Sequence, residues 1–186
     1  MNFQFYLEKI TANEEFQKFK KENPSAFPCS CYFVVDKENE KNPNDQQHVD
    51  YFIPENKKMV SFKIESDCER VNVNPIGDKI PEKISLNYDF DFSEVQKKIE
   101  EKMKEEGIKN KIQKLIYSLQ RLKGKDYLVG TIFISGLGIL KIHYDISEKK
   151  ITHFEKKTFM EMLNIFKKKP SKKEEKEENS QTNQDK

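Results

Sequence analysis

The stretch from Tyr127 to Tyr144 reads YLVGTIFISGLGILKIHY, and it decides how the chain folds. It is the longest apolar run in a chain that is 35% hydrophobic and 35% charged, and its first charge comes at Lys141. The run predicts two buried β-strands joined by a turn at Ser135-Gly136-Leu137-Gly138, since glycine suits hairpin turns. These glycines lack the Lys-Ser/Thr that a phosphate-binding loop needs, so the stretch predicts structure and not chemistry.

The first part of the chain predicts helix followed by strands. Phe3 to Glu22 favours helix, either as one broken helix or as two short ones that meet near Asn13. Alternating and β-branched residues then predict short antiparallel strands, which are rich in aromatic side chains. These strands are Cys31 to Val35, Gln47 to Ile53, Lys58 to Glu65 and a short piece at Val71 to Val73, and Ile84, Leu86 and Tyr88 add a further alternating segment.

A long helix is predicted between Ser93 and Leu122. Ser93 is a capping residue, and apolar residues recur from Val95 onward at helical spacing. The spacing slips by one residue at Gly107, which predicts a kink or the meeting point of two helices. Gly124 is the predicted stop signal.

The end of the chain changes character after the hairpin. Lys149 to Phe154 predicts a last strand, and Thr158 is placed to cap a short helix from Phe159 to Phe166. Residues 167–186 contain no apolar residue, so we expect them to be disordered. The predicted organisation is a single domain over residues 1–166 and a charged tail over residues 167–186.

Together these segments predict an α+β fold in which an antiparallel sheet packs against one long helix, kinked or straight. The predicted order is α-βββ-α-ββ(β)-α. Two helix-then-strands halves suggest an internal duplication. This order resembles the layout of type III secretion chaperones and related small α+β folds; the resemblance rests on element order alone, and it implies partner binding.

Composition and charge narrow the classes of function. Residues 1–166 carry no net charge, and the tail accounts for the formal charge of +2. Arg70 and Arg121 are the only arginines, which disfavours sequence-specific nucleic-acid binding. The start of the chain has no signal-peptide pattern, and no apolar run reaches the roughly 20 residues of a membrane span. We therefore expect a soluble, cytoplasmic protein without membrane contact.

One set of residues has metal-binding or nucleophilic chemistry. Cys29 and Cys31 are two apart on a predicted strand and would share a face, and His48 would come near them if the first two strands pair. With Cys68 they offer sulfur and imidazole ligands that suit zinc, although the C-x-C spacing departs from the usual zinc pairs. The same residues contain the minimum for thiol catalysis. The competing interpretation is three buried cysteines and a surface histidine.

Two surfaces are candidates for binding. Lys141, His143 and Asp145 line one strand face with His153 nearby in sequence, which predicts either a ligand surface or a solvated face. Phenylalanines in or beside loops and terminal segments predict an exposed apolar patch, which usually marks an interface. They are Phe3, Phe5, Phe27, Phe52, Phe90 and Phe92.

The leading prediction is therefore a non-enzymatic module that binds a protein partner or associates with itself. No cofactor is expected from the sequence. The alternative is a metal-binding protein or thiol enzyme built on Cys29, Cys31, His48 and Cys68, with zinc as the metal. A third hypothesis is weak, nonspecific nucleic-acid contact through the lysines of residues 167–173.

Overall fold

A computed structural model of the chain describes residues 2–39, 41–73, 80–158 and 161, and it contains one antiparallel sheet of eight strands. The helices are α1 (Phe3–Thr11), α2 (Glu14–Glu22) and α3 (Phe92–Glu105), with one 3-10 turn at Ile64–Ser66. The strands are β1 (Phe27–Asp36), β2 (Gln46–Ile53), β3 (Lys58–Lys63), β4 (Glu69–Val73), β5 (Ile112–Leu122), β6 (Lys125–Ile134), β7 (Gly138–Asp145) and β8 (Lys150–Thr158).

The predicted sheet against one long helix is wrong. The longest described helix, α3, has 14 residues and ends before Gly107, which adopts a left-handed conformation with φ of +68°. The N–H of Gly107 donates to the carbonyl of Lys104, and the N–H of Ile108 donates to that of Met103 at 2.8 Å. This is the Schellman ending of a helix, so Gly107 terminates α3 and does not kink it.

Residues 112–122, predicted as helix, form β5. Their apolar residues satisfy helical spacing, but Leu115, Tyr117 and Leu119 also alternate and are all buried on one side. A helix would have left Tyr117 on its polar side. β5 pairs with β1 on one edge and with β6 on the other, so it lies in the middle of the sheet. This pairing selects the two-residue period of a strand over the 3.6-residue period of a helix.

The chain forms two similar halves, each with helix first and four strands after it. The strand order β4-β3-β2-β1-β5-β6-β7-β8 shows that each half is a meander and that β1 and β5 join the halves. The predicted order of three and then two or three strands is wrong, and the likeness in layout to type III secretion chaperones loses its basis. The segment with Ile84, Leu86 and Tyr88 is not a strand.

Several local predictions are confirmed. The stretch from Tyr127 to Tyr144 forms the β6–β7 hairpin, with Gly136 at a positive φ of 77° in its turn. The start of the chain forms two short helices and not one broken helix. The side chain of Asn13 accepts a hydrogen bond from the N–H of Phe16, and this cap begins α2. The predicted last strand is present and runs on to Thr158.

The predicted C-terminal helix and tail lie outside the described residues, except at the helix start. The N–H of Glu161 donates to Oγ1 of Thr158 at 3.2 Å, and the Glu161 carboxylate accepts from the N–H of Thr158 at 2.6 Å. This reciprocal pair is a capping box, which agrees with the predicted cap at Thr158.

The helices pack on one side of the sheet, which we call the closed face. Aromatic rings dominate the contact: Phe33 lies 4.7 Å from Phe92 between ring centroids, and Phe16 lies 5.1 Å from Phe62. The closed face is the set of strand residues that belong to this helix-covered core. Its main members are Cys31, Phe33, Val49, Tyr51, Val60, Phe62, Leu115, Tyr117, Leu119, Leu128, Ile132, Leu140, Ile142 and Tyr144.

Candidate functional site

The four predicted metal or thiol residues occupy different places. Cys31 is fully buried on the closed face, whereas His48 pairs with Tyr32 on the opposite face of the sheet. Cys29 lies at a β-bulge between Pro28 and Ser30. Cys68 follows the 3-10 turn, and its thiol lies 3.8 Å from the carbonyl oxygen of Lys9.

The chemistry of the three cysteines is that of buried thiols. Burial raises the pKa of Cys29 to about 12, with the nearby Asp50 carboxylate as a smaller cause, and burial raises the pKa of Cys31 well above its usual range. Thiolate, which a nucleophile or a zinc ligand requires, is therefore disfavoured at neutral pH. Within the described ranges no group of three or more His, Cys, Asp or Glu side chains is placed to hold a metal. Zinc binding stays a prediction that metal analysis would test.

The predicted patch of loop phenylalanines is largely absent. Phe3, Phe52, Phe90 and Phe92 are all buried, and Phe3 and Phe92 form part of the core between the helices and the sheet. Phe5 has 55% of its surface exposed, and Phe27 is half-buried. The larger apolar surface lies on the side of the sheet away from the helices, and of the predicted residues only Phe27 and Phe52 belong to it.

We call this second side the open face: the strand residues that alternate with those of the closed face. Most of its apolar and aromatic side chains are half-buried, and Val34, Phe52 and Ile139 are shielded by their neighbours. Solvated faces of antiparallel sheets are usually polar, so this composition is unusual. The apolar members are Phe27, Tyr32, Val34, Phe52, Met59, Val71, Val73, Ile116, Leu122, Tyr127, Val129, Phe133 and Ile139.

All three histidines of the chain lie on the open face in one row across the strands. Nε2 of His48 lies 2.9 Å from the Glu65 carboxylate. At the other end of the row, His143 and His153 face each other with ring centroids 4.9 Å apart. Burial, and then the neighbouring His153, lower the pKa of His143, so this ring is neutral at pH 7.

The predicted row of Lys141, His143, Asp145 and His153 is thus part of this open face. Register places Lys141 opposite Glu155 and His143 opposite His153. The side chain of Asp145 is buried under Lys125, whose Nζ lies 2.5 Å from it. The sequence located this polar row but missed its apolar surroundings, because Ile116 was assigned to a helix. The alternation of Lys114, Ile116 and Ser118 with buried residues was the available signal.

Charge is divided unevenly between the two halves of the open face. The β1–β4 half carries acidic residues in excess, and the β5–β8 half carries lysines in excess. The strands of the first half contribute Asp36, Asp50 and Glu69 with Lys63, and Glu65 of the 3-10 turn lies beside His48. The second half has Lys114, Lys125, Lys141, Lys150 and Lys157 with Asp145 and Glu155.

Near the middle of the acidic half, Asp50 lies between Ser30 and Ser61. Burial raises the pKa of Asp50 although both serines hydrogen bond to its carboxylate. The open face is therefore already partly shielded from water at this point, even though no other element is described over it here.

Comparison with known proteins gives a likeness of fold. No model of a known protein family and no curated protein matches the sequence. Among solved structures, the crystal structure of a candidate lipoprotein from Clostridium difficile 630 is similar, with a TM-score of 0.50 and 14% identity, over 77% of this chain and 91% of the other. At that identity the likeness concerns the fold alone. Across the described residues, the helices are too short or too polar to cross a membrane.

Proposed function

We propose that this chain is a non-enzymatic binding module that associates with a second copy of itself through the open face. The observation that carries the proposal is a broad, half-buried apolar surface on a sheet whose other face is already covered by helices. Contiguous apolar surfaces of this kind mark interfaces. The cytoplasmic location expected from the sequence belongs to the same proposal.

The size of the open face fits a stable dimer. Eight strands about 4.8 Å apart span roughly 34 Å, and eight residues of strand extend roughly 27 Å, so the face covers on the order of 900 Å². Stable interfaces bury about 800 Å² on each partner. Sheets that stack face to face lie about 10 Å apart, which lets side chains such as Ile116 and Tyr32 interdigitate.

The uneven charge of the open face favours a second copy of the chain as the partner that covers it. A two-fold axis parallel to the strands, between β1 and β5, would place the acidic half of one copy over the lysine half of the other. Such a closed, isologous interface is the commonest form of homodimer. The same arrangement places Ile116, on β5, next to the axis and therefore close to its own copy.

Sedimentation equilibrium of the full chain at pH 7.5 tests this proposal, with two single variants. Ile116→Glu should give monomers, because it brings two like charges together at the axis. Phe5→Glu is the matched control: it also replaces a large, accessible apolar residue, but on α1, and it should remain dimeric. Raised salt should weaken the wild-type dimer, since opposed charges are screened.

Two results would overturn the proposal. One is a wild-type chain that stays monomeric at all accessible concentrations. The other is a monomer that dimerises only after residues 159–186 are removed, because that segment would then be the occupant of the open face. The metal-binding and nucleic-acid hypotheses stay predictions. The former needs Cys29, Cys31, His48 and Cys68 to converge, and the lysine-rich tail of the latter lies outside the described residues.

A further inference from the structure

Two of the three histidines form a facing pair near the edge of the open face. His143 on β7 lies directly opposite His153 on β8, and their ring centroids are 4.9 Å apart with the ring planes inclined at 44°. Histidine is the commonest metal-ligating side chain in proteins, and it binds through a nitrogen of the neutral ring. Two imidazoles at opposed strand positions therefore offer two ligands to a single ion.

The separation of the two rings suits a shared metal ion. Zinc binds an imidazole nitrogen at about 2.0–2.1 Å, so the centroid of each ligating ring lies roughly 3.2 Å from the ion. A tetrahedral angle between the two ligands then sets the two centroids roughly 5 Å apart. The His143–His153 pair already has this separation, so rotation of the side chains can aim one nitrogen of each ring at the same point.

Both rings can be reached by an ion from solvent. His143 is half-buried, with the ring centroid of Tyr127 6.1 Å away, and 47% of the His153 side chain is exposed. A β-bulge lies beside the pair: the register shifts between His143 and Tyr144, and the hydroxyl of Thr152 donates to the carbonyl of His143 at 3.2 Å. Bulges re-aim side chains and are over-represented next to active sites.

A carboxylate lies next to the pair. Oε2 of Glu155 is 3.9 Å from Nε2 of His153, and Oε1 of Glu155 is 3.1 Å from Nζ of Lys157. A metal-ligating histidine commonly has a carboxylate beside its other ring nitrogen, which orients the ring and raises its basicity. Lys141 lies opposite Glu155 in the register, so two lysines bring positive charge to this area and the Glu155 carboxylate offsets it.

We infer that His143 and His153 together bind a divalent transition-metal ion of the zinc, copper and nickel class, with Glu155 as the supporting carboxylate. Imidazole suits these metals, whereas magnesium and calcium prefer oxygen ligands. The pair supplies two ligands, which agrees with the absence of a three-residue metal group among the described residues, and water completes the coordination. The site is complete within one chain, so it does not depend on the association proposed for the open face.

Calorimetric titration of the full chain with Zn²⁺, at pH 7.5 in a non-chelating buffer, tests this inference. His143→Gln and His153→Gln should each weaken binding at least about tenfold, since loss of a residue that only orients a ligand already costs about 10–100-fold. Glu155→Gln should weaken binding about tenfold for that second reason. His48→Gln is the matched control: it removes the remaining histidine of the same face and should leave the affinity unchanged. Mg²⁺ should not bind.

Proton NMR of the wild-type chain tests the position of the site without a variant. Zn²⁺ should shift the ring resonances of His143 and His153 together and leave those of His48 in place. The inference is overturned if Zn²⁺ does not bind the wild-type chain at millimolar concentration, or if either His143→Gln or His153→Gln keeps the wild-type affinity. Loss of binding in His48→Gln would also overturn it, because the ion would then be held by the cysteine–histidine set predicted from the sequence. Equal affinity for Mg²⁺ would exclude a site built on imidazole.

Discussion

The closed and open faces are built from alternate residues of the same eight strands, yet they differ in what they contribute. Phe33 is 1% exposed and contacts rings from α1 and α3, whereas its neighbour Tyr32 is half-buried on the open face. One face supplies the helix-covered core, and the other carries the half-buried apolar surface on which the proposed association rests. The difference teaches that the two-residue period of the strand separates the core from the surface that we propose for association.

The largest expected effect comes from breaking the closed face. Phe33→Ala should lower the free energy of unfolding by about 3–5 kcal/mol, because it removes a fully buried ring and leaves a cavity. Tyr32→Ala, one residue away, should cost less than about 1.5 kcal/mol because its side chain is only partly removed from water. Urea unfolding at one low protein concentration measures both. Equal losses would contradict the division between the faces.

The next largest effect is expected at Asp126, a buried carboxylate on the helix-covered side of the sheet. It accepts hydrogen bonds from the N–H of Ser85, the hydroxyl of Tyr88 and Nε of Arg121, at 2.8, 3.0 and 2.7 Å. Asp126→Asn should destabilise by about 2 kcal/mol, the scale of a hydrogen bond to a charged group. Hydrogen exchange should also show faster opening of the segment that contains Ser85. A change below experimental error would mean that this carboxylate does not hold the segment.

Tyr117→Phe is a closed-face substitution that we expect to stabilise the chain. The buried hydroxyl has no partner among the described residues, so its removal should raise the free energy of unfolding by about 1 kcal/mol. Tyr32→Phe on the open face is the control and should change stability little. If Tyr117→Phe destabilises the chain, the hydroxyl already has a hydrogen-bond partner.

The smallest effect concerns Asp50 on the open face. Burial raises its pKa above the usual 3.8, so the ionised form is less favourable in the folded chain than in the unfolded chain. This cost appears as the pH rises through the usual value and is complete above the folded-state pKa. Asp50→Asn should therefore stabilise by roughly 0.5 kcal/mol or less at pH 7, and the gain should disappear below pH 3.8. Urea unfolding of the wild type and the variant at pH 7 and below pH 3.8 measures both differences. A variant that is less stable than the wild type at pH 7 would contradict this prediction.

Neighbouring residues were enough to predict the structure where the sequence fits only one hydrophobic period or contains a clear turn or cap residue. The β6–β7 hairpin, the break at Asn13 and the cap at Thr158 each follow from a few neighbouring residues. Gly107 was recognised as a disruption, but its role as a helix terminator depends on the hydrogen bonds that follow it. The candidate metal residues were chosen by type and proximity in sequence, and the pleat separated Cys31 from His48 because they occupy opposite faces of paired strands.

The sequence by itself determined that residues 127–144 form a buried hairpin, since a glycine-rich turn divides two apolar segments that so charged a chain must bury. Only the tertiary structure decided that residues 112–122 extend as a central strand, because their apolar spacing fits two periods and the edges of β1 and β6 select one. That choice also sets which face the helices cover. The open face is a consequence of long-range pairing, which no local pattern encodes.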